Sequence, residues 1–167
     1  KGLIDRTPYN NLIPIPRQNW SSAVAQLIDQ PANINLWIDS LSYNSGTNTV
    51  TATVNAAILN AIPGPQNLTI YLTESHIIGW QEKAGQPDIP DYEFNHVLRG
   101  ALNNPLGETF IPADAQVGDT LVSTFSYVLP SNVLVPNNCS LVAYVYNTDA
   151  GPEQYQVQEA AERKFVP

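Results

Sequence analysis

The side chains that could carry proton transfer, nucleophilic attack or metal binding are His76, His96, Cys139 and the carboxylates, among them Glu74 and Glu93. A cysteine nucleophile needs a base within reach and a group to orient that base. Zinc needs a tetrahedral set of nitrogen, sulfur or oxygen ligands. The two histidines stand twenty residues apart, and nothing in the sequence ties either to Cys139. There is no second cysteine, no His-Glu-x-x-His helix, no Gly-x-Ser-x-Gly elbow and no phosphate-binding glycine loop. Asp88, Asp91 and Glu93 lack the dense alternating oxygens of a calcium loop. These observations predict a non-catalytic chain with no metal and no cofactor. Cys139, at the apolar-to-polar transition Asn138-Cys139-Ser140-Leu141-Val142, is expected to be a half-buried strand thiol.

Binding chemistry is better represented. Residues 76–91 carry Gly79, Gly85, Pro87 and Pro90 and read as a long ordered loop, where a rigid β scaffold usually places function. Within and beside it, Trp80, Gln81 and Tyr92 offer aromatic faces and an amide, a set suited to a peptide or a glycan. Glu74 and Arg99 each end or interrupt an apolar strand in a chain that uses charge sparingly. Their placement predicts an ion pair that joins the central loop to the sheet, with Asn95 and His96 as hydrogen-bonding supports.

The elements that must hold these groups follow from periodicity. Pro8, Pro14 and Pro16 forbid a helix through the leader. Asn19 is then an N-cap candidate for a short amphipathic helix over residues 20–29, with Trp20, Val24, Leu27 and Ile28 at helical spacing and Pro31 as the stop. Beyond Pro31 the period falls from about 3.6 to 2. Ile34, Leu36 and Ile38 alternate with polar or aromatic neighbours, and so do Val50, Ala52, Val54, Ala56 and Ile58 after a turn rich in Asn, Ser and Gly. Pro63-Gly64-Pro65 predicts a turn before a strand at residues 68–73, and residues 92–102 alternate as one strand. Further strands are expected at 119–129, 140–147 and 154–165, the last after an Asp149-Ala150-Gly151-Pro152 turn. About seven strands make an immunoglobulin-like antiparallel β-sandwich, preceded by one short helix.

At 167 residues, with 43% hydrophobic and only 13% charged side chains, the chain can bury one ordinary core and must build its polar surface from Asn, Gln, Ser and Thr. A net charge of −8 repels phosphate backbones, which excludes nucleic acid as a partner class. No stretch reaches the roughly 18 to 20 apolar residues of a membrane span, and no signal-peptide pattern stands at the start. The sequence starts at Lys1 and contains no Met, so a processed or trimmed piece is expected.

The run Tyr71-Leu72-Thr73-Glu74-Ser75-His76-Ile77-Ile78-Gly79-Trp80-Gln81, then Tyr92-Glu93-Phe94-Asn95-His96-Val97-Leu98-Arg99-Gly100, resembles the signature of the twenty-eight-kilodalton outer-membrane protein family. Leu141 to Asn147 and Tyr155 to Ala160 are similar to that family's closing strand pair. The resemblance implies an exported lipoprotein at the outer membrane or cell surface of a Gram-negative bacterium. It also implies a thioredoxin-like domain ahead of the sandwich: Gly2-Leu3-Ile4-Asp5-Arg6 resembles the stretch after that domain's cis-proline loop. Residues 1–31 are then its remnant and 32–167 the sandwich. The leading expectation is a non-catalytic binding or adhesion module whose partner is an unidentified protein or glycan at the cell surface, with homo-oligomer formation through the N-terminal helix. The alternative is the accessory half of an envelope thiol-disulfide oxidoreductase whose redox cysteines lie upstream.

Overall fold

Alternation of apolar side chains beyond Pro31 has its expected result. In the computed structural model, which describes residues 1–62, 64–151 and 154–165, ten strands follow the helix Trp20–Leu27 (α1). They are Ile34–Asn44 (β1), Thr49–Ile58 (β2), Gln66–Glu74 (β3), Ile77–Gln81 (β4), Ile89–Phe94 (β5), Val97–Ala101 (β6), Glu108–Ile111 (β7), Thr120–Val128 (β8), Cys139–Asn147 (β9) and Val157–Lys164 (β10). A three-stranded sheet in the order β1-β2-β8 faces a five-stranded one in the order β10-β9-β3-β6, with β7 also on β3. Every pairing is antiparallel. The predicted inward positions of β1 and β2, from Ile34 through Ile58, are buried, and they meet Leu68, Ile70 and Leu72 of β3 with Leu141, Ala143 and Val145 of β9. The protein is thus mainly β, a sandwich of antiparallel sheets with one short helix. No helix among the described residues is long and apolar enough to cross a membrane.

One edge of β3 has an unusual covering. β6 pairs with its residues 71–74 and β7 with 66–68. Between them the side chain of Asn103 substitutes for a strand: its Nδ2 donates to the Leu68 carbonyl at 2.8 Å and its Oδ1 accepts the Ile70 N–H at 3.0 Å. A buried backbone group left without a partner is costly, so a single amide here preserves the ladder.

The differences from expectation have local causes. Residues 76–91 are not a long loop: β4 and β5 form a two-stranded ribbon, and only residues 82–88 connect them. Pro90 lies within β5 because a two-stranded ribbon has outward positions that need no ladder donor. The single strand expected over 92–102 is broken at Asn95-His96, where His96 turns into the left-handed region at φ 54°. Four-residue β7 is too short to show a period. The helix ends at Leu27 and not at Asp29, and Asn19 lies in a 3-10 turn, φ −99°, without a side-chain cap bond. Pro63 and Pro152, in two of the expected turns, lie outside the described residues.

The N-terminal segment is tied to the sandwich at defined points. Gly2 and Ile15 exchange two backbone hydrogen bonds of 2.9 and 2.8 Å. The indole of Trp20 donates to the Ile15 carbonyl at 3.1 Å and lies so close to Gly2 that a Cβ there would come within 2.8 Å of the ring. The Asp5 backbone carbonyl accepts the Val157 N–H at 2.9 Å, which pins the segment to the start of β10.

Candidate functional site

The central ribbon presents Trp80 and Tyr92 but does not stack them. Tyr92 is opposite Gly79 in the ladder, and the register shifts at Trp80. The ring that meets Tyr92 is Phe94, edge-on at 4.8 Å. Gly79 makes room for Phe94, since a Cβ there would be 3.3 Å from that ring. Trp80, 59% exposed, and Ile78, 63% exposed, therefore stand free of the sandwich. Gln81 closes the ribbon opposite Ile89 and donates to the Glu82 carbonyl.

The polar residues at the ribbon's base divide into two groups. His76 Nδ1 meets Glu93 at 2.7 Å, the Asn95 side chain accepts the His76 N–H at 3.1 Å, and Ser75 Oγ accepts the His96 N–H at 3.1 Å. His96 Nε2 reaches Glu162 of β10 at 3.2 Å. These bonds clamp both strands of the ribbon at its base. Glu74 and Arg99 do form an ion pair, Nε to Oε2 at 2.8 Å, with Glu74 only 1% exposed. The same carboxylate accepts the N–H groups of Leu134 at 3.1 Å and Val135 at 2.6 Å. Glu74 thus anchors the β8–β9 connection, whereas Asn95 and His96 serve the ribbon.

Cys139 is buried more completely than its sequence position implied, at 1% exposure. Burial, then the neighbouring Glu74 charge, push its thiol up to about 11, partly offset by Arg99. A protonated thiol is a poor nucleophile. We expect no reaction with Ellman's reagent in the native protein at mildly alkaline pH, and one thiol per chain once guanidinium unfolds it. Rapid native labelling would contradict this placement. Among the described residues, no group of three or more His, Cys, Asp and Glu is arranged to hold a metal.

A second feature escaped the sequence. On the outer face of the five-stranded sheet lies a groove of about 540 Å³ floored by Tyr71, Tyr144 and Tyr146. The register explains the cluster: Asn67 is opposite Tyr146 and Thr69 opposite Tyr144, so outward positions of β3 and β9 fall side by side. Arg6 lies over the rings of Tyr144 and Tyr146, 5.2 Å from each centroid. Its Nη2 donates to Tyr144 Oη at 3.1 Å; that hydroxyl donates to Tyr71 Oη at 3.4 Å, and Tyr71 donates to the Pro105 carbonyl at 3.1 Å. The bond with Tyr144, then burial, push the Tyr71 phenol up to about 12. Tyr71 thus keeps its proton at physiological pH. The signal was present in Tyr144-Val145-Tyr146: outward positions of a sandwich strand are normally small and polar, and here two are tyrosine.

No curated protein matches the chain. Among solved structures it is similar to HBP35 of Porphyromonas gingivalis, with a TM-score of 0.63 and 16% identity over 93% of this chain and 48% of that one. At that identity the likeness is one of fold, and the chain spans about half the length of that protein. The sequence also matches a family described as outer membrane protein Omp28 over residues 1–164, which takes in the leader, the helix and all ten strands. That match agrees with the resemblance read from residues 71–100, and by it the chain belongs to the Omp28 outer membrane protein family, proteins of the outer membrane or cell surface.

Proposed function

We propose that this chain is a non-catalytic binding or adhesion module of a cell-surface lipoprotein, and that it meets a protein or glycan partner through the β4–β5 ribbon. The observation that carries the reading is the ribbon's construction. Trp80 is exposed on a two-stranded projection whose base is fixed by His76–Glu93, Asn95 and Ser75. A rigid support under an exposed indole reduces the entropy lost on binding. The strand order β1-β2-β8 against β10-β9-β3-β6 supports an immunoglobulin-like scaffold, which commonly places its contacts at one end. Buried Cys139 supports a reading without thiol chemistry on this chain. Val24 and Ile28 of the N-terminal helix region are uncovered in the single chain, which supports their use between copies.

The test is Trp80→Ala, with fluorescent protein applied to glycan and peptide arrays and to intact bacteria. Binding should weaken about tenfold or more, as for an interface anchor. Folding stability should stay within about 0.5 kcal/mol, as for an exposed side chain away from the core. Binding unchanged from the parent chain would remove the ribbon from the reading.

A further inference from the structure

From the groove beneath Arg6 we infer a second, separate site on this chain, one that takes a saccharide bearing a carboxylate, such as a uronic acid oligomer. The first argument is charge. Only seven side chains are Lys or Arg against fifteen Asp and Glu. Of the four arginines, Arg99 is paired with Glu74 and Arg163 with Asp39, whereas Arg6 and Arg17 have no carboxylate partner among the described residues, and of those two only Arg6 lines the groove. A guanidinium with one of its donors engaged by Tyr144 and the others unclaimed by acid is a ready fork for a ligand carboxylate.

The second argument is how the arginine is held. Asp5 and Arg6 both lie in the left-handed region, at φ 48° and 55°. Consecutive non-glycine residues there are uncommon and persist only where the surroundings impose them. The surroundings are the Asp5 bond to Val157 and the two tyrosine rings, which together hold Arg6 over the floor of the groove. Arg6, with Tyr71 and Tyr144, lines both the 540 Å³ hollow and a second one of about 320 Å³ that also takes in Leu3, Asp5 and Ala160. The cation is therefore common to the two hollows.

The third argument is the remaining lining. Apart from Arg6, the larger hollow offers aromatic faces, the amides of Asn67 and Gln154, and hydroxyl groups, with no acid among its described residues. A sugar ring presents an apolar C–H face to an aromatic ring and hydroxyls to amides and phenols. A uronic acid adds the carboxylate that Arg6 lacks. The volume lies within the range of about 300 to 1,000 Å³ found for ligand pockets.

The probes are trigalacturonic acid and its methyl ester, in which each charged carboxylate is replaced by a neutral, methylated carboxyl group, titrated calorimetrically into the full chain. The acid should bind, and the ester should bind roughly tenfold or more weakly, as expected when a charge-assisted hydrogen bond is lost. Arg6→Gln should reduce affinity for the acid by a similar factor and leave the ester unaffected. Because Arg6→Gln could also loosen the N-terminal segment, Tyr155→Ala serves as a second variant: it leaves the segment's bonds in place and should weaken acid and ester alike. No binding of the acid, equal affinity for acid and ester, or full displacement of the acid by equimolar sulfate would each overturn the proposal. Since Trp80 is not in this groove, Trp80→Ala should leave the titration unchanged.

Discussion

Glu74→Ala is expected to destabilise the fold by about 3–5 kcal/mol, the range measured when one partner of a buried ion pair is removed. Urea denaturation would show it as a lower midpoint at nearly unchanged slope. The size follows from what the carboxylate satisfies. It neutralises Arg99, whose side chain is 14% exposed, and accepts the N–H groups of Leu134 and Val135. Alanine leaves a mostly buried guanidinium and two backbone donors without an acceptor, and each unmet group costs about 1–3 kcal/mol. Against a total stability of about 5–15 kcal/mol, the variant should fold marginally. Adding Arg99→Met removes the unpaired charge and should restore part of the loss. A single-variant loss below about 1 kcal/mol would mean that the pair is solvated and that the β8–β9 connection is held elsewhere.

This pair also shows what the sequence could and could not reveal. Glu74 and Arg99 stood out because charge is scarce and both interrupt apolar strands, and their pairing follows from that. The partners of Glu74 did not follow, because Leu134 and Val135 contribute only backbone N–H groups, which every residue has. Alternation revealed β1, β2, β3, β8 and β9, whose inward positions are buried in β1, β2, β3 and β9 and partly buried in β8, where Leu121, Phe125 and Tyr127 pack against the core. It failed at the central ribbon, where glycine and proline suggested a loop. A two-stranded ribbon with both faces partly exposed has no single apolar face to produce a period.

The groove was illegible for a different reason. Its floor comes from two strands more than seventy residues apart in sequence, Tyr71 and Tyr144, which only the β3–β9 register brings together. Its cation comes from the leader, whose prolines marked it as irregular. No local pattern connects Arg6 to Tyr144. That connection is produced by the Asp5–Val157 bond and the left-handed turn at residues 5 and 6. The family resemblance covered all three segments yet gave location and fold, and a likeness of that kind does not assign a site.

Gly107→Ala should damage both stability and groove, because the loop that Gly107 ends is the groove's wall. Gly107 has φ 77°, and a Cβ there would lie 2.9 Å from Thr69 Oγ1, 2.9 Å from Tyr146 Oη and 3.0 Å from Tyr146 Cε1. Tyr146 cannot simply rotate away, since its hydroxyl donates to the Leu106 carbonyl and accepts from Asn67. Relieving the contact must lift residues 105–106 or tilt the ring under Arg6. A left-handed alanine costs about 1–2 kcal/mol by itself. The crowding adds to that, for an expected total of about 2–4 kcal/mol, within the span of overpacking and strain effects. Gly85 supplies the control, at φ 70° with nothing within 4 Å of its added Cβ. Gly85→Ala should show the backbone cost alone. The difference between the two variants in urea denaturation measures the contact with Tyr146, and calorimetry on the same proteins should find trigalacturonate binding weakened only in Gly107→Ala. Equal stability losses in the two variants would show that the tyrosine floor yields freely and that the groove's shape is not fixed by this loop.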